Sequence, residues 1–372
     1  MASTGVSFTP PPYPYERLDV LRKLASMHDG GPIECSIGTP IDPPPNAVLA
    51  ELAKGVGVRG YPTSQGSIDL RDAAAGWMQR RFGVTVSSSD IAACIGTKEF
   101  VGTLAGYLHL RAPDRDTVLY PAISYPTYAM GATLAGLRPV PVKVRDGRLD
   151  LESISPDDAS RALVLWSNSP SNPTGFVDDL EAIAKWGRRH GVLVASDECY
   201  AEYTWAGAPK SILEHGSDGV LAVHSCSKRS NLAGMRAGFY TGDEELVGFL
   251  KSVRQHAGFM VPAPIQAAVA VAYNDDEHVN VQRERYRARL QLMSGALTDF
   301  GLNAPMPEGA FYLWCSKDGL DGWQLASELA ERSALVVSPG ELYGDDGRNF
   351  VRIAVVQSDE RLALAASRLR GD

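Results

Sequence analysis

The residue types that could do chemistry cluster in one stretch of the chain. Asp197 and Tyr200 occur in SDECY, directly after the apolar run VLVAS. Ser225, Ser227, Lys228 and Arg236 occur in SCSKRSNLAGMRAG, directly after GVLAVH. Short runs of this kind read as buried strands, and open α/β sheets present ligand-binding groups just beyond the carboxyl ends of their strands. Singly, each residue has an ordinary reading. Asp197 fits a solvated loop acid or a helix cap, Lys228 a surface lysine, and Arg236 a charge at a strand entrance. Together they offer an amine, a carboxylate, a phenol and a hydroxyl-plus-guanidinium set for an anion.

That set matches the needs of pyridoxal 5'-phosphate. A lysine must form a Schiff base with the aldehyde and then move the Cα proton. A carboxylate must pair with the ring nitrogen, so that the ring can accept electrons. The phosphate needs arginine, hydroxyls and backbone amides, and a phenol or amide must sit beside the ring hydroxyl.

The elements that would position these groups are legible. TVLY, RPVPV, RALVLW, VLVAS, GVLAVH and AGFYT, with IAACI at 91–95, read as short strands. Helical segments such as SIDLRDAAAGWMQRRF and LEAIAKWGRRHG lie among them, which predicts a mostly parallel seven-stranded α/β sheet. The prolines in RPVPV make that strand an edge or bulged one. A helix is expected from Asn46 to Val58 and another from Lys98 to Leu110. Beyond about residue 242, helices come first, then FYLWC, ALVVS and FVRIAVV as strands around the helix WQLASELAERS. A last helix is capped by Ser358. The expected division is a large domain over 46–280, and a smaller α+β domain built from 1–45 and 281–372. GVGVRG matches GxGxxG at Gly55, Gly57 and Gly60, but a helix runs into it and a loop follows, so no dinucleotide fold is expected there.

Composition narrows the class. The 372 residues carry 36 Lys plus Arg against 44 Asp plus Glu, a net charge of -8, which argues against a nucleic-acid or anionic-membrane partner. Five scattered cysteines without CxxC, and histidines without HExxH, describe neither a disulfide scaffold nor a metal site. The N-terminal MASTGVSFTPPPYPYERL lacks the basic-then-apolar pattern of a secretory signal, and no run spans a bilayer. A cytoplasmic chain is the expectation.

On NSPSNPTG at 168–175, SDECY at 196–200, SCSKRSNLAGMRAG at 225–238 and VRIAV at 351–355, in that order, the sequence resembles the class I/II branch of fold-type I pyridoxal-phosphate aminotransferases. The resemblance implies that Lys228 binds the cofactor and shuttles the proton, and that Asp197 pairs with the ring nitrogen. It implies that Asn172 and Tyr200 bond the ring oxygen, although Asn172 also fits a turn before Pro173. Arg236, Ser225 and Ser227 would hold the phosphate with the backbone at Gly96 and Thr97. Tyr125 in SYPTY would cover one ring face, or pack as a core tyrosine. Tyr61 would reach the phosphate of a neighbouring subunit, giving a homodimer with shared sites. Arg352 would clamp the substrate α-carboxylate, with Gly38 and Asn172 at the same end. Lys98 departs from the family's small or hydroxyl residue, and reads as a cation for the phosphate or an acidic substrate, or as an outward helix lysine.

Within the family, IGTKE, SPSNPTG, SDECY, AVHSCSK and RQHAGFMVPAPIQAA resemble the actinobacterial type of succinyldiaminopimelate aminotransferase. That resemblance implies glutamate as donor, 2-oxoglutarate as product, and a succinylated keto acid of the diaminopimelate and lysine route as acceptor. Such an acceptor needs cations beyond Arg352, for which Lys98, Arg229 and Arg254 are the candidates. The alternatives are a broader aspartate, aromatic or other amino-acid aminotransferase, a lyase of the same fold, or a silent pyridoxal-phosphate regulator.

Overall fold

The computed structural model describes residues 8–11 and 14–371. Residues 1–7 and 12–13 of the N-terminal stretch read for a signal lie outside them. The central sheet contains seven strands, β1 (Ile91–Cys94), β2 (Thr117–Pro121), β3 (Arg138–Val142), β4 (Ala162–Asn168), β5 (Leu193–Asp197), β6 (Val220–Ser225) and β7 (Gly238–Gly242). Their order is β1-β7-β6-β5-β4-β2-β3. Strands β6 to β3 run parallel, whereas β7 is antiparallel to both its neighbours. The proline-bearing β3 lies at the edge, where a missing N–H leaves no central ladder bond unmade.

Both sheet faces are covered, which is why β4 and β6 are buried along their whole length. Helix α1 (Ile68–Phe82) turns Leu70, Ala74, Trp77, Met78 and Phe82 inward, and Ser67 caps it by accepting from Leu70 N at 3.2 Å. Such a cap contributes about 1 kcal/mol. Helix α2 (Thr97–Arg111) follows β1, and helix α3 (Leu180–His190) joins β4 to β5. A second core packs Leu18, Leu21 and Ile33 against Tyr286, Leu290, Phe311, Leu335, Ile353 and Leu362.

Two expectations are corrected. The helix beginning at Asn46 stops at Ala53, because Gly55 and Gly57 take positive φ. ALVVS forms two short strands: Leu335–Val336 pairs in parallel with Ile33–Glu34, and Ser338–Pro339 pairs with Phe350–Ala354. Among the described residues, no helix is long and apolar enough to cross a membrane.

Candidate active site

Beyond the carboxyl ends of β4, β5 and β6 lies a cavity of about 420 Å³. Gly38, Thr97, Lys98, Tyr125, Asn172, Asp197, Tyr200, Ser225, Ser227, Lys228, Arg236 and Arg352 all line it. Parallel strands deliver Asn168, Asp197 and Ser225 to the same edge, because their carboxyl ends lie side by side.

Lys228 belongs to the helical turn Cys226–Arg229, whose cap Ser225 accepts from Ser227 N at 3.0 Å. Tyr203 Oη donates to the Lys228 carbonyl at 3.0 Å, and Lys228 Nζ donates to the Gly38 carbonyl. Burial pushes the Lys228 amine down to about 8, so more of it is the neutral nucleophile than for a lysine in water.

Asp197 ends β5. Its Oδ1 accepts from Cys199 N at 3.2 Å and its Oδ2 from Tyr128 Oη at 2.9 Å. Burial raises its pKa despite these bonds. A buried carboxylate held in this way gains from a cationic partner, which a protonated ring nitrogen would supply.

An anion cradle forms at the N-terminus of α2. Gly96 precedes the helix with φ 69°, and a Cβ there would lie 2.3 Å from Arg236 Nη2. A side chain at this position would collide with the guanidinium where it lies. Arg236 Nη1 is tied to the Ala233 carbonyl at 2.9 Å, and the Thr97, Ser225 and Ser227 side chains line the same cavity. Amides at a helix start, an arginine and hydroxyls are groups that would suit a phosphate.

The opposite end carries Arg352, buried on the strand Phe350–Ala354. Its Nη1 donates to Asn172 Oδ1 at 2.7 Å and its Nη2 to the Ser36 carbonyl. Its Nε is buried without a hydrogen-bond partner among the described residues. Asn172 N donates to Asn168 Oδ1 at 2.7 Å, and Asn168 Nδ2 to the Asp197 carbonyl at 2.9 Å. These bonds link Arg352 to the end of β5, so the guanidinium and the Asp197 carboxylate are held in one frame. A cation so fixed suits a carboxylate.

Several functional groups escaped the sequence reading. Tyr128, Asn168 and Tyr312 line the cavity with Tyr15 and Cys199. SYPTY carried a signal for Tyr128, a second tyrosine three residues beyond Tyr125. Nothing in FYLWC singled out Tyr312. Gly96 stands behind Arg236 rather than on the cavity wall, and Tyr61 is 97% exposed, away from the cavity.

Arg229 and Arg254 correct the expectation of spare cations. Arg229 is buried against Trp77 and Tyr273, donating to Glu202, the Ala272 carbonyl and Asp276. Arg254 makes two 2.7 Å bonds to Glu99. Neither lines the cavity; burying a guanidinium requires such partners, and these consume it.

Known proteins share this frame. The sequence profile described as aminotransferase class I and II matches residues 34–369. The chain is 42% identical to the 4-dedimethylamino-4-oxo-anhydrotetracycline transaminase of Streptomyces rimosus, over 96% of this chain and 99% of that protein. It is 32% identical to an LL-diaminopimelate aminotransferase of Aquifex aeolicus, over 97% and 96%. A solved structure titled a probable N-succinyldiaminopimelate aminotransferase, from Thermus thermophilus, superposes with a TM-score of 0.85 at 31% identity, covering 96% of this chain and 99% of that one. Sheet, cavity and profile agree: the chain belongs to the class I and II aminotransferases, whose cofactor is pyridoxal 5'-phosphate, a group these residues fit.

Proposed function

We infer that this aminotransferase moves the amino group of glutamate to a succinylated keto acid of the diaminopimelate type, working as a homodimer. The cofactor, when bound, supplies an electron sink for the bond changes at the substrate Cα. Lys228 holds it, gives way to the amino donor, and then carries the Cα proton as base and acid. Asp197, held by Tyr128 and Cys199, keeps the ring nitrogen protonated. Thr97, Ser225, Ser227 and Arg236 hold the phosphate, with Gly96 leaving them room, and Tyr125 covers a ring face. Asn172 and Tyr200 serve the ring oxygen. Arg352 orients the donor by its α-carboxylate, and Gly38 borders that end.

Lys98 carries the substrate assignment. It lines the cavity at the start of α2, with Nζ 6.0 Å from the Tyr125 ring centroid. The other lining cations, Lys228, Arg236 and Arg352, have roles in the reaction common to the family. A distal carboxylate therefore has Lys98 to meet. The diaminopimelate enzymes among the relatives support an acceptor of this class. The dimer rests on Tyr61, exposed in a loop beside the exposed Val56 and Val58, which suits contact with a second copy.

A second reading has a specific observation behind it. Arg229 and Arg254 lie off the cavity, and among the described residues that line it Lys98 is the cation beyond Lys228, Arg236 and Arg352, which also suits acceptors with a single distal anion. A panel of donors and acceptors decides. Glutamate-dependent amination of the succinylated keto acid, at least about tenfold faster in kcat/KM than with aspartate or aromatic acceptors, is the expected outcome. Preference for common keto acids would replace it with the broader enzyme.

A further inference from the structure

Tyr312 stands where two parts of the cavity meet. It lies on the strand Tyr312–Ser316, is 1% exposed, and points its hydroxyl at Tyr200 Oη, 2.8 Å away. Its ring lies under Arg352, with the guanidinium carbon 4.3 Å from the ring centroid. Gly38 has to be glycine beside it, because a Cβ there would approach the Tyr312 hydroxyl to 2.1 Å. Tyr343 also lies against Arg352, with the guanidinium carbon 4.9 Å from its ring centroid, and its hydroxyl is 3.2 Å from that of Tyr15. Tyr312 thus reaches from the carboxylate end to the phenol assigned to the cofactor.

We propose that Tyr312 is a positioning residue with two separable actions: its hydroxyl orients the Tyr200 hydroxyl, and its ring fixes the Arg352 guanidinium. The inference rests on the cofactor reading above and deepens it. Each phenol has one proton, and either can donate across the 2.8 Å contact. When Tyr312 donates, the Tyr200 proton is left for the ring oxygen of the cofactor, and Tyr200 becomes the better donor. Burial pushes the Tyr312 phenol up to about 12, with Arg352 and the Tyr200 bond pulling the other way, while Tyr15 and Tyr125 add to the rise. Burial, with Tyr312 next, also raises the Tyr200 phenol well above its ordinary value. Both phenols therefore keep their protons at working pH.

The two actions come apart in two variants of the holoenzyme. Tyr312→Phe removes the hydroxyl and keeps the ring. The pH midpoint of the bound cofactor's visible absorption should then rise by about half a unit, because Tyr200 donates less strongly to the ring oxygen. In the same variant kcat should fall severalfold, while KM for the amino donor stays within about twofold. Tyr312→Leu removes the ring as well, and KM should rise about tenfold as Arg352 loses that aromatic contact. An unchanged absorption midpoint in Tyr312→Phe overturns the hydroxyl's action. A KM increase as large in the Phe variant as in the Leu variant overturns the separation. If Tyr312→Leu does not fold, the Phe titration and its KM still decide. Wild-type protein that shows no visible absorption with the cofactor would instead contradict the cofactor reading itself.

Discussion

The sheet has two hollows of similar size at opposite ends, about 420 Å³ beyond the carboxyl ends of β4 to β6 and about 460 Å³ by their amino ends. Both are lined by arginines. In the second hollow, Arg115 Nη1 donates to the Ala162 and Gly191 carbonyls at 2.8 and 2.7 Å. Arg188 donates to the Asp218 and Gly216 carbonyls, each at 3.0 Å, and Arg111 pairs with Glu245. Arg115 and Arg188 thus meet backbone oxygens, one of them at Gly191 just past the C-terminus of α3, where the backbone is partly negative, and Arg111 meets a carboxylate. In the first hollow, the N-terminus of α2 and its positive end face the cavity with Arg236. One helix thus presents opposite ends to two arginine-lined spaces. The direction of the elements, more than the presence of cations, separates a ligand site from a structural one.

Removing groups from the first hollow should affect chemistry. The largest effect is expected for Lys228→Ala, a fall in turnover of about a thousandfold or more with loss of the lysine-linked visible absorption. Turnover near the wild-type level would remove Lys228 from the mechanism and erase the contrast between the hollows. Arg352→Ala should come next. Losing a bidentate charged partner weakens kcat/KM for the amino donor about a hundredfold, and a lysine there should restore only part of it. Gly96→Ala should weaken cofactor binding about tenfold, because the added methyl displaces Arg236 from the helix start. Titration of the cofactor by fluorescence checks this, and unchanged affinity would show that the cradle does not depend on that close approach.

Much of this arrangement was legible before the fold was known, for identifiable reasons. Fully buried parallel strands leave apolar runs that end abruptly, so Asp197 and the Ser225–Lys228 segment could be placed at strand ends. Proline marked β3 as an edge. What sequence did not disclose depended on distant partners. Arg229 looks like any lysine neighbour until Glu202, the Ala272 carbonyl and Asp276 close around it. Tyr312 sits in an apolar strand, and its route to the cavity depends on the antiparallel pairing that sets Tyr312 opposite Ala354 and Trp314 opposite Arg352. ALVVS looked continuous because hydrophobicity does not tell which neighbour each residue pairs with.

A pH measurement sharpens the electrostatic side of the comparison. In cofactor-free protein the Lys228 amine is held at about 8, below its ordinary 10.5. Between those values the unfolded chain keeps a proton that the folded chain has released. The contribution of Lys228 to stability therefore rises with pH across this window, and the full penalty is present below it. Buried cysteine and tyrosine groups, raised by burial, pull stability the other way over this range, so the test is a difference: from pH 8 to pH 10 the urea midpoint of wild type should move upward relative to that of Lys228→Met. An equal change in both would remove Lys228 from the titration.

The second hollow supplies the smallest expected effect on activity. Arg115→Ala removes the guanidinium that satisfies the Ala162 and Gly191 carbonyls, at the start of β4 and the end of α3. Each such bond contributes about 1 kcal/mol, and water entering the hollow replaces part of the loss. The variant should unfold at a lower urea midpoint, with KM and kcat for the amino donor both within about twofold of wild type. A larger change in KM at equal stability would mean that the amino ends of the strands communicate with the cavity at their carboxyl ends. The contrast between the hollows would then be one of degree, since the same rigid β4 and β5 that carry Asn168 and Asp197 would also transmit a disturbance from their far ends.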